Sequence, residues 1–247
     1  MPISPDFSPI FEENHKINFL HCTPNGILKY TDLCNLFQLT ASSHAELGGF
    51  SHADMQIFNQ AWVLSRMKVE IIDLPKWQDE VTVKTWIKSL EGYQSVRCLE
   101  MYLNGKKIIG CETFWVVINT NTRRPENLAI PYDHFTFFPN NHATSISTHR
   151  INIPENPVKL SEKTIKLSDI DIVNHANNVK YLEWSLDEIE PEIILEQKIK
   201  SFSINFLQEV NLQDKIQINH QEDKESIKFS ITKNNKTCYA LELHLTA

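Results

Sequence analysis

The sequence repeats itself in one fixed order, and this limits the possible folds more than anything else in the chain. Gln78-Asp79-Glu80-Val81-Thr82-Val83 returns as Gln213-Asp214-Lys215-Ile216-Gln217-Ile218. Asn104-Gly105-Lys106 returns as Asn234-Asn235-Lys236, Lys29-Tyr30 as Lys180-Tyr181, and Glu112 has a counterpart in Glu242. The separation between copies falls from 151 to 135 to 130 residues along the chain. Ordered matches with a steadily shrinking offset describe a diverged duplication whose second copy has shorter loops. The 247 residues then divide into two halves of roughly 120 residues, each long enough to build a core.

Each copy reads as a strand, a helix and a run of antiparallel strands, so the fold class is α+β. In the first, Lys16 to Cys22 is strand-like and turns at Pro24-Asn25-Gly26. Leu28, Leu33, Leu36, Phe37 and Ala41 then follow a 3.6-residue period until Gly48-Gly49. Trp62 to Ile72 and Val81 to Thr85 are rich in strand formers. Tyr93 to Leu103 and Lys107 to Ile118 flank Asn104-Gly105, a dipeptide suited to a tight hairpin. In the second copy, Lys163 to Leu167 reads as a strand and Asn174 to Glu190 as a helix with Val179, Leu182, Leu186 and Ile189 on one side. Strands are expected over 199–206, 215–218, 226–232 and 237–245.

Between the copies, Pro125, Pro131, Pro139, Pro154 and Pro157 interrupt any regular element. The expected boundaries are therefore residues 1–130 and 163–247, joined by a linker over 131–162. Phe135, Phe137 and Phe138 are expected to anchor part of that linker on the body. A sheet with an apolar face needs a cover, and the long helix of each copy supplies one. Two copies in one chain can provide the pair that a dimer would; a homodimer of the whole chain stays open.

Several classes are disfavoured. Net charge is -7, with 24 Lys plus Arg against 31 Asp plus Glu, which opposes a broad nucleic-acid grip. No apolar run approaches the ~20 residues of a membrane-spanning helix. The stretch from Met1 to Asn14 lacks the apolar segment of a secretory signal. Cys22, Cys34, Cys98, Cys111 and Cys238 form no C-x-x-C pair and are odd in number, so reduced thiols in a cytoplasmic setting are expected. The ten histidines are scattered without metal-ligand spacing, and no phosphate-cradling glycine loop or G-x-S-x-G elbow is present. No metal or organic cofactor is implied.

The densest polar cluster is Ser168 to Asn178, where a strand gives way to a helix. Asp171 or Asn174 alone would serve as a helix cap, but a cap needs one such side chain and the cluster holds two carboxylates, an imidazole and three carboxamides. His175 is suited to proton transfer near neutral pH, and Asp171 is close enough in sequence to fold back toward it. Glu209, at the end of the apolar run Phe202 to Leu207, is the candidate carboxylate on a neighbouring strand. Its alternative is a solvated charge at a strand end.

The segment Asp169-Ile170-Asp171-x-x-Asn174-His175-x-Asn177-Asn178-x-Lys180-Tyr181-x-x-Trp184 resembles the active-site segment of the acyl-acyl-carrier-protein thioesterases of plants and bacteria. The resemblance extends to Thr23-Pro24-Asn25-Gly26, Trp62-Val63-Leu64-Ser65-Arg66, Pro75-x-Trp77, Val81-x-Val83-x-Thr85-Trp86 and Phe206-x-x-Glu209. It implies a double hotdog, two tandem domains each with a long helix wrapped by an antiparallel sheet. It implies hydrolysis of the thioester between a fatty acyl chain and the phosphopantetheine arm of an acyl carrier protein. The N-terminal half would mostly shape the acyl pocket and the C-terminal half would supply the catalytic groups. The family aspartate falls on Asp171, the histidine on His175 and the strand glutamate on Glu209. Two positions depart: the family asparagine two residues before the histidine is Val173 here, and the cysteine that plant members carry after the glutamate is Val210.

The mechanism expected from these residues uses no cysteine nucleophile. Glu209, with or without Asp171, activates a water; His175 orients substrate or water and assists proton transfer; either Asn174 takes over from the missing asparagine by a local backbone adjustment or catalysis is altered or weak; backbone N–H groups around Ala176 receive the oxyanion. An acyl-coenzyme A thioesterase and a non-catalytic acyl- or carrier-binding module are the rival readings. An acidic carrier protein would require a local basic face, for which Lys159, Lys163, Lys166, Lys198, Lys200 and Arg123-Arg124 are candidates. All of this requires His175 and Glu209 to share a solvent-reachable place.

Overall fold

The structure is a computed structural model and describes residues 3–153, 157–223 and 225–246. It contains two compact units, Met1–Thr148 and His149–Ala247.

The first unit runs β1 (Ile10–Lys16), α1 (Tyr30–Leu47), α2 (His52–Gln56), β2 (Gln60–Ile71), β3 (Glu80–Glu91), β4 (Gln94–Leu103) and β5 (Lys106–Asn119). Its strands lie in the order β1-β3-β4-β5-β2, with every pair antiparallel. The second unit runs β6 (Val158–Thr164), α3 (Asn178–Leu186), α4 (Pro191–Leu195), β7 (Ile199–Phe206), β8 (Lys215–Glu222), β9 (Ser226–Lys233) and β10 (Lys236–Leu245). Its order, β6-β8-β9-β10-β7, is the same arrangement, again antiparallel throughout. Each unit is a hotdog, with a helix against a curved antiparallel sheet.

The repeat extends to single hydrogen bonds. The hairpin residues Asn104 and Gly105 have φ of 51° and 74°, and Asn234 and Asn235 have 50° and 62°. Two successive positive φ values make a turn whose twist matches that of the strands, which is why asparagine and glycine stand there. Gln78 N–H reaches Ile17 O as Gln213 N–H reaches Ile165 O, and Leu28 N–H reaches Pro75 O as Ala176 N–H reaches Val210 O. Lys29 N–H to His21 O is repeated by Asn177 N–H to Asp169 O. These bonds align Lys29 with Asn177, so the Lys-Tyr pair of the second copy lies three residues deeper into its helix than the first.

The cores follow the alternation of the strands. Val81, Val83, Leu99, Ile109 and Cys111 are buried, as are Leu33 and Phe37 of α1, in the first unit; Phe202, Ile218, Phe229, Ile231 and Leu241 are buried with Leu182 of α3 in the second. Burying one such side chain is worth about 1.5–3 kcal/mol. The free cysteines are Cys22, half-buried, and Cys34, Cys98, Cys111 and Cys238, all buried. Burial pushes the Cys34 thiol up to about 12, far from thiolate chemistry.

Several local expectations shift. The strand expected over Lys16 to Cys22 lies earlier, as β1, and Phe19–His21 is instead a single 3-10 turn capped by the Asn18 side chain at Leu20 N–H (3.0 Å). The second helix covers only Asn178–Leu186 rather than Asn174 to Glu190. Asn174 has φ 65°, which a helix cannot include, and the Asn177 side chain caps the helix at Val179 N–H (2.9 Å). At the other end Pro191 opens α4 and holds Glu190 extended, at ψ 126°. The strand expected over 163–167 is β6, Val158–Thr164. It is a polar edge strand with no apolar alternation to announce it, set by pairing with β8.

The stretch expected as a linker is divided. Its first part belongs to the first unit, which extends to Thr148. Phe135 packs with Phe50, Met55, Ile87 and Val117, with Phe137 against the same cluster, and Phe138 packs on Trp86 and Cys98. Further on, the Glu70 carboxylate accepts Ser145 N–H (2.8 Å), Ser145 Oγ–H (2.7 Å) and Ile146 N–H (3.2 Å). Lys107 Nζ donates to Ala143 O at 2.7 Å, and the Ala143 carbonyl crosses so near Gly110 that a Cβ there would overlap it.

Candidate active site

Two loops of the second unit hold the polar cluster, one from β6 to α3 and one from β7 to β8. In the first, Asp171 N–H bonds to His175 O (2.9 Å) and Asn174 N–H to Asp171 O (3.0 Å), closing a tight turn. The Asp171 carboxylate seals it by accepting Val173 N–H at 3.0 Å and His175 N–H at 3.4 Å. Asn174 is exposed and supplies the left-handed residue of this turn, a conformation that asparagine tolerates better than most side chains. Gly26, at φ 80°, has the same place in the first unit.

The second loop is tied down at consecutive residues. Leu207 and Gln208 N–H donate to Cys238 O (2.8 and 3.1 Å), Val210 N–H to Tyr181 Oη (3.2 Å), and Val210 O accepts Ala176 N–H (2.8 Å). That last bond joins the loops and brings His175 Nε2 to 3.2 Å from Glu209 Oε2. Their side chains are 25% and 40% exposed, so the pair is within reach of water. When the imidazole is protonated this is an ion pair.

The other expected residues fall around this pair. Asp171 shapes the turn through its backbone bonds. Val173 is 42% exposed and leaves a hydrocarbon surface where a carboxamide would hydrogen-bond. The amides of Ala176 and Asn177 are already bonded to Val210 O and Asp169 O, so the oxyanion donors expected around Ala176 are not available there. The next amide, Asn178 N–H at the first position of α3, has no protein partner among the described residues. The same loops carry exposed apolar side chains: Leu167, Ile172, Leu207 and Leu212. Of the expected basic residues in this unit, Lys159 lies against Glu162 (2.6 Å), Lys198 against Glu196 (2.8 Å), and Lys163 Nζ is 5.5 Å from the centre of the Trp184 ring.

One residue escaped sequence reasoning. Lys233, at the end of β9, donates from Nζ to Glu209 O (3.0 Å) and to Asp214 Oδ2 (2.8 Å). Asp214 also accepts Asn211 N–H at 2.7 Å. Partial burial would raise the Asp214 carboxyl, but the bonds from Lys233 and Asn211 outweigh it and hold the group below its ordinary range. The signal was present: Lys233 immediately precedes the Asn234-Asn235 turn, where the first copy has Leu103 before Asn104-Gly105.

The family model described as the acyl-ACP thioesterase N-terminal domain matches residues 8–133, and that of the C-terminal domain matches residues 155–243. The chain belongs to the acyl-ACP thioesterase family. Among curated members it is 29% identical over 203 residues to oleoyl-acyl carrier protein thioesterase 2, chloroplastic, of Arabidopsis thaliana, covering 74% of this chain and 54% of that one. It is 26% identical over 208 residues to oleoyl-acyl carrier protein thioesterase, chloroplastic, of Coriandrum sativum, with the same coverage. The chain thus spans about half the length of the curated acyl-ACP thioesterases it matches. An acyl-ACP thioesterase structure from Bacteroides thetaiotaomicron superposes with a TM-score of 0.87 at 26% identity, covering 96% of this chain and 98% of that one. The 12:0-ACP thioesterase of Umbellularia californica shares the fold, with a TM-score of 0.82 at 18% identity, covering 97% of this chain and 98% of that one. The fold of this acyl-ACP thioesterase family member is therefore the double hotdog.

Within that family fold, the first unit of this chain lacks the polar pair of the second. The shared bonds place Ile27 where His175 stands and Leu74 where Glu209 stands. Both are buried, at 7% and 3% exposure.

Proposed function

We propose that the chain hydrolyses the thioester of a fatty acyl-acyl carrier protein and releases the free fatty acid, a reaction of fatty acid synthesis in a cytoplasmic setting. The single observation that supports this most strongly is the exposed His175–Glu209 pair, 3.2 Å apart, in a family fold whose first copy carries hydrocarbon at both places. Glu209 takes a proton from a water as its oxygen attacks the thioester carbonyl carbon, and His175 holds that water in line. The developing oxyanion faces Asn178 N–H at the start of α3, where the helix dipole adds to the bond. The C–S bond then breaks, and the proton held by Glu209 passes, directly or through His175, to the leaving thiolate. A thiolate is a good enough leaving group that a positioned water needs no covalent acyl-enzyme. The exposed Leu167, Ile172, Leu207 and Leu212 give the acyl-pantetheine arm an apolar approach.

The test is a series of acyl thioesters of increasing chain length, each presented on acyl carrier protein and on coenzyme A. Turnover abolished in Glu209→Gln, with a higher kcat/KM on the carrier protein, supports this reading. Preference for the coenzyme A esters would reassign the carrier, and saturable binding without turnover would make the chain an acyl-binding protein.

A further inference from the structure

The duplication supplies an internal control. The first unit builds the same loop with the same backbone bonds but without the chemistry, so it shows which side chains the fold itself requires. Ile72 and Asp73 N–H donate to Ile108 O, as Leu207 and Gln208 do to Cys238 O. Lys76 N–H donates to the Asp79 carboxylate (2.7 Å), as Asn211 N–H does to that of Asp214 (2.7 Å). These features are common to both copies and belong to the fold.

Other features occur only where the reactive pair occurs. The place of Lys233 is taken by Leu103, fixed by the matching hairpins. The place of Tyr181 is taken by Leu33, fixed by the matching helix caps. The place of Val210 is taken by Pro75, which has no N–H to give. The first unit therefore folds with no donor to the Leu74 carbonyl from that strand and no hydroxyl beneath residue 75. In the second unit both are present, and both hold the one peptide that follows the Glu209 side chain's point of attachment. Lys233 Nζ grips the carbonyl of Glu209, and Tyr181 Oη accepts the next N–H, that of Val210.

We infer that Lys233 is a positioning residue for Glu209: its bond to the Glu209 carbonyl, braced by Asp214 and backed by the Tyr181 bond at Val210, fixes the backbone from which the carboxylate reaches His175. The inference rests on the proposed thioester hydrolysis for its kinetic meaning and on geometry for the rest. A lysine that only stabilised the unit would be expected in both copies, because the loop, the Asp carboxylate and the hairpin are in both. Glu209 is 40% exposed, so few packing contacts hold its side chain. Its aim must then come from the backbone. An error of about 1 Å in such an aim is enough for losses approaching a hundredfold.

The experiment compares Lys233→Met, Lys233→Arg and wild type on an acyl-acyl carrier protein, together with a crystal structure of Lys233→Met. The expected result is a kcat lowered about 10- to 100-fold in Lys233→Met with KM within about twofold, kcat recovered to within about fivefold in Lys233→Arg, and Glu209 displaced from His175 in the crystal. Unchanged kcat, or an equal loss in both variants, would overturn the inference. If wild type itself shows no turnover, hydrolysis fails as a reading and the crystal structure alone decides. A His175–Glu209 separation still near 3.2 Å in Lys233→Met would then overturn the clamp, and a separated pair would sustain it.

Discussion

His175 Nε2 lies 3.2 Å from Glu209 Oε2, and the residues at the same two places in the other copy are Ile27 and Leu74. One duplicated framework thus carries an exposed acid–base pair in one half and buried hydrocarbon in the other. The framework is held by backbone bonds that do not depend on either pair.

That independence predicts a clean separation of activity from stability. Glu209→Gln and His175→Ala are each expected to lower acyl-thioester hydrolysis by about a hundredfold or more, the range of a lost general acid–base group. Both side chains are partly exposed, so the thermal midpoint should move by no more than a few degrees. Steady-state kinetics and circular-dichroism melts on the same preparations check this. Full activity in both variants would dismiss the assignment.

Asn174 tests conformation against chemistry. Its φ of 65° is open to glycine without strain and costs a β-branched residue about 1–2 kcal/mol. Asn174→Gly is expected to keep kcat within about threefold, and Asn174→Val to lose both stability and rate. A collapse of turnover in the glycine variant, with the fold intact, would show that the carboxamide itself takes part.

Gly110 is the point where the connecting segment crosses β5. A methyl group there meets a carbonyl oxygen of the backbone, Ala143 O, which cannot swing aside as a side chain would. Gly110→Ala should therefore destabilise the protein by about 1–3 kcal/mol. Denaturant melts would read this as a lowered midpoint with little change in slope.

Acid should weaken the first unit before its carboxylates titrate. Arg97 Nη1 can only donate, so the 2.9 Å contact makes His44 Nδ1 the acceptor, and Nε2–H donates to Ser8 O at 2.9 Å. Burial first, then the Arg97 cation, lower the imidazole from 6.5 to about 3 despite the Ser8 bond. The folded protein thus refuses a proton that the unfolded chain accepts below pH 6.5. The associated stability is complete above that value and is lost as the pH falls toward 3. His15, lowered chiefly by burial, adds in the same direction. Urea melts should show stability falling by about 1–2 kcal/mol between roughly pH 6.5 and 5.5. A flat profile across that window would contradict a neutral, buried His44.

Much of this protein was legible in its sequence, because much of it is local. Strand alternation, the Asn-Gly and Asn-Asn turns, and the end of α1 at Gly48 depend on neighbours in the chain, so periodicity and φ preference were enough to place them. The duplication was legible for the same reason. The polar cluster before the second helix singled out His175, and the apolar run Phe202 to Leu207 singled out Glu209. Elements whose limits are set by partners were less visible. The polar strand β6 exists because β8 pairs with it, and α3 is short because a left-handed asparagine and Pro191 bound it.

The sequence alone determined that two like units follow one another and which residue types could react. Only the tertiary structure decided that His175 and Glu209 meet, that Ala176 N–H is occupied by Val210 O, and that Lys233 holds the Glu209 carbonyl. Each of these is a bond between segments far apart in the chain. Such bonds form only when two loops are brought to one end of a sheet, and no residue's own preference encodes the partner it will find there.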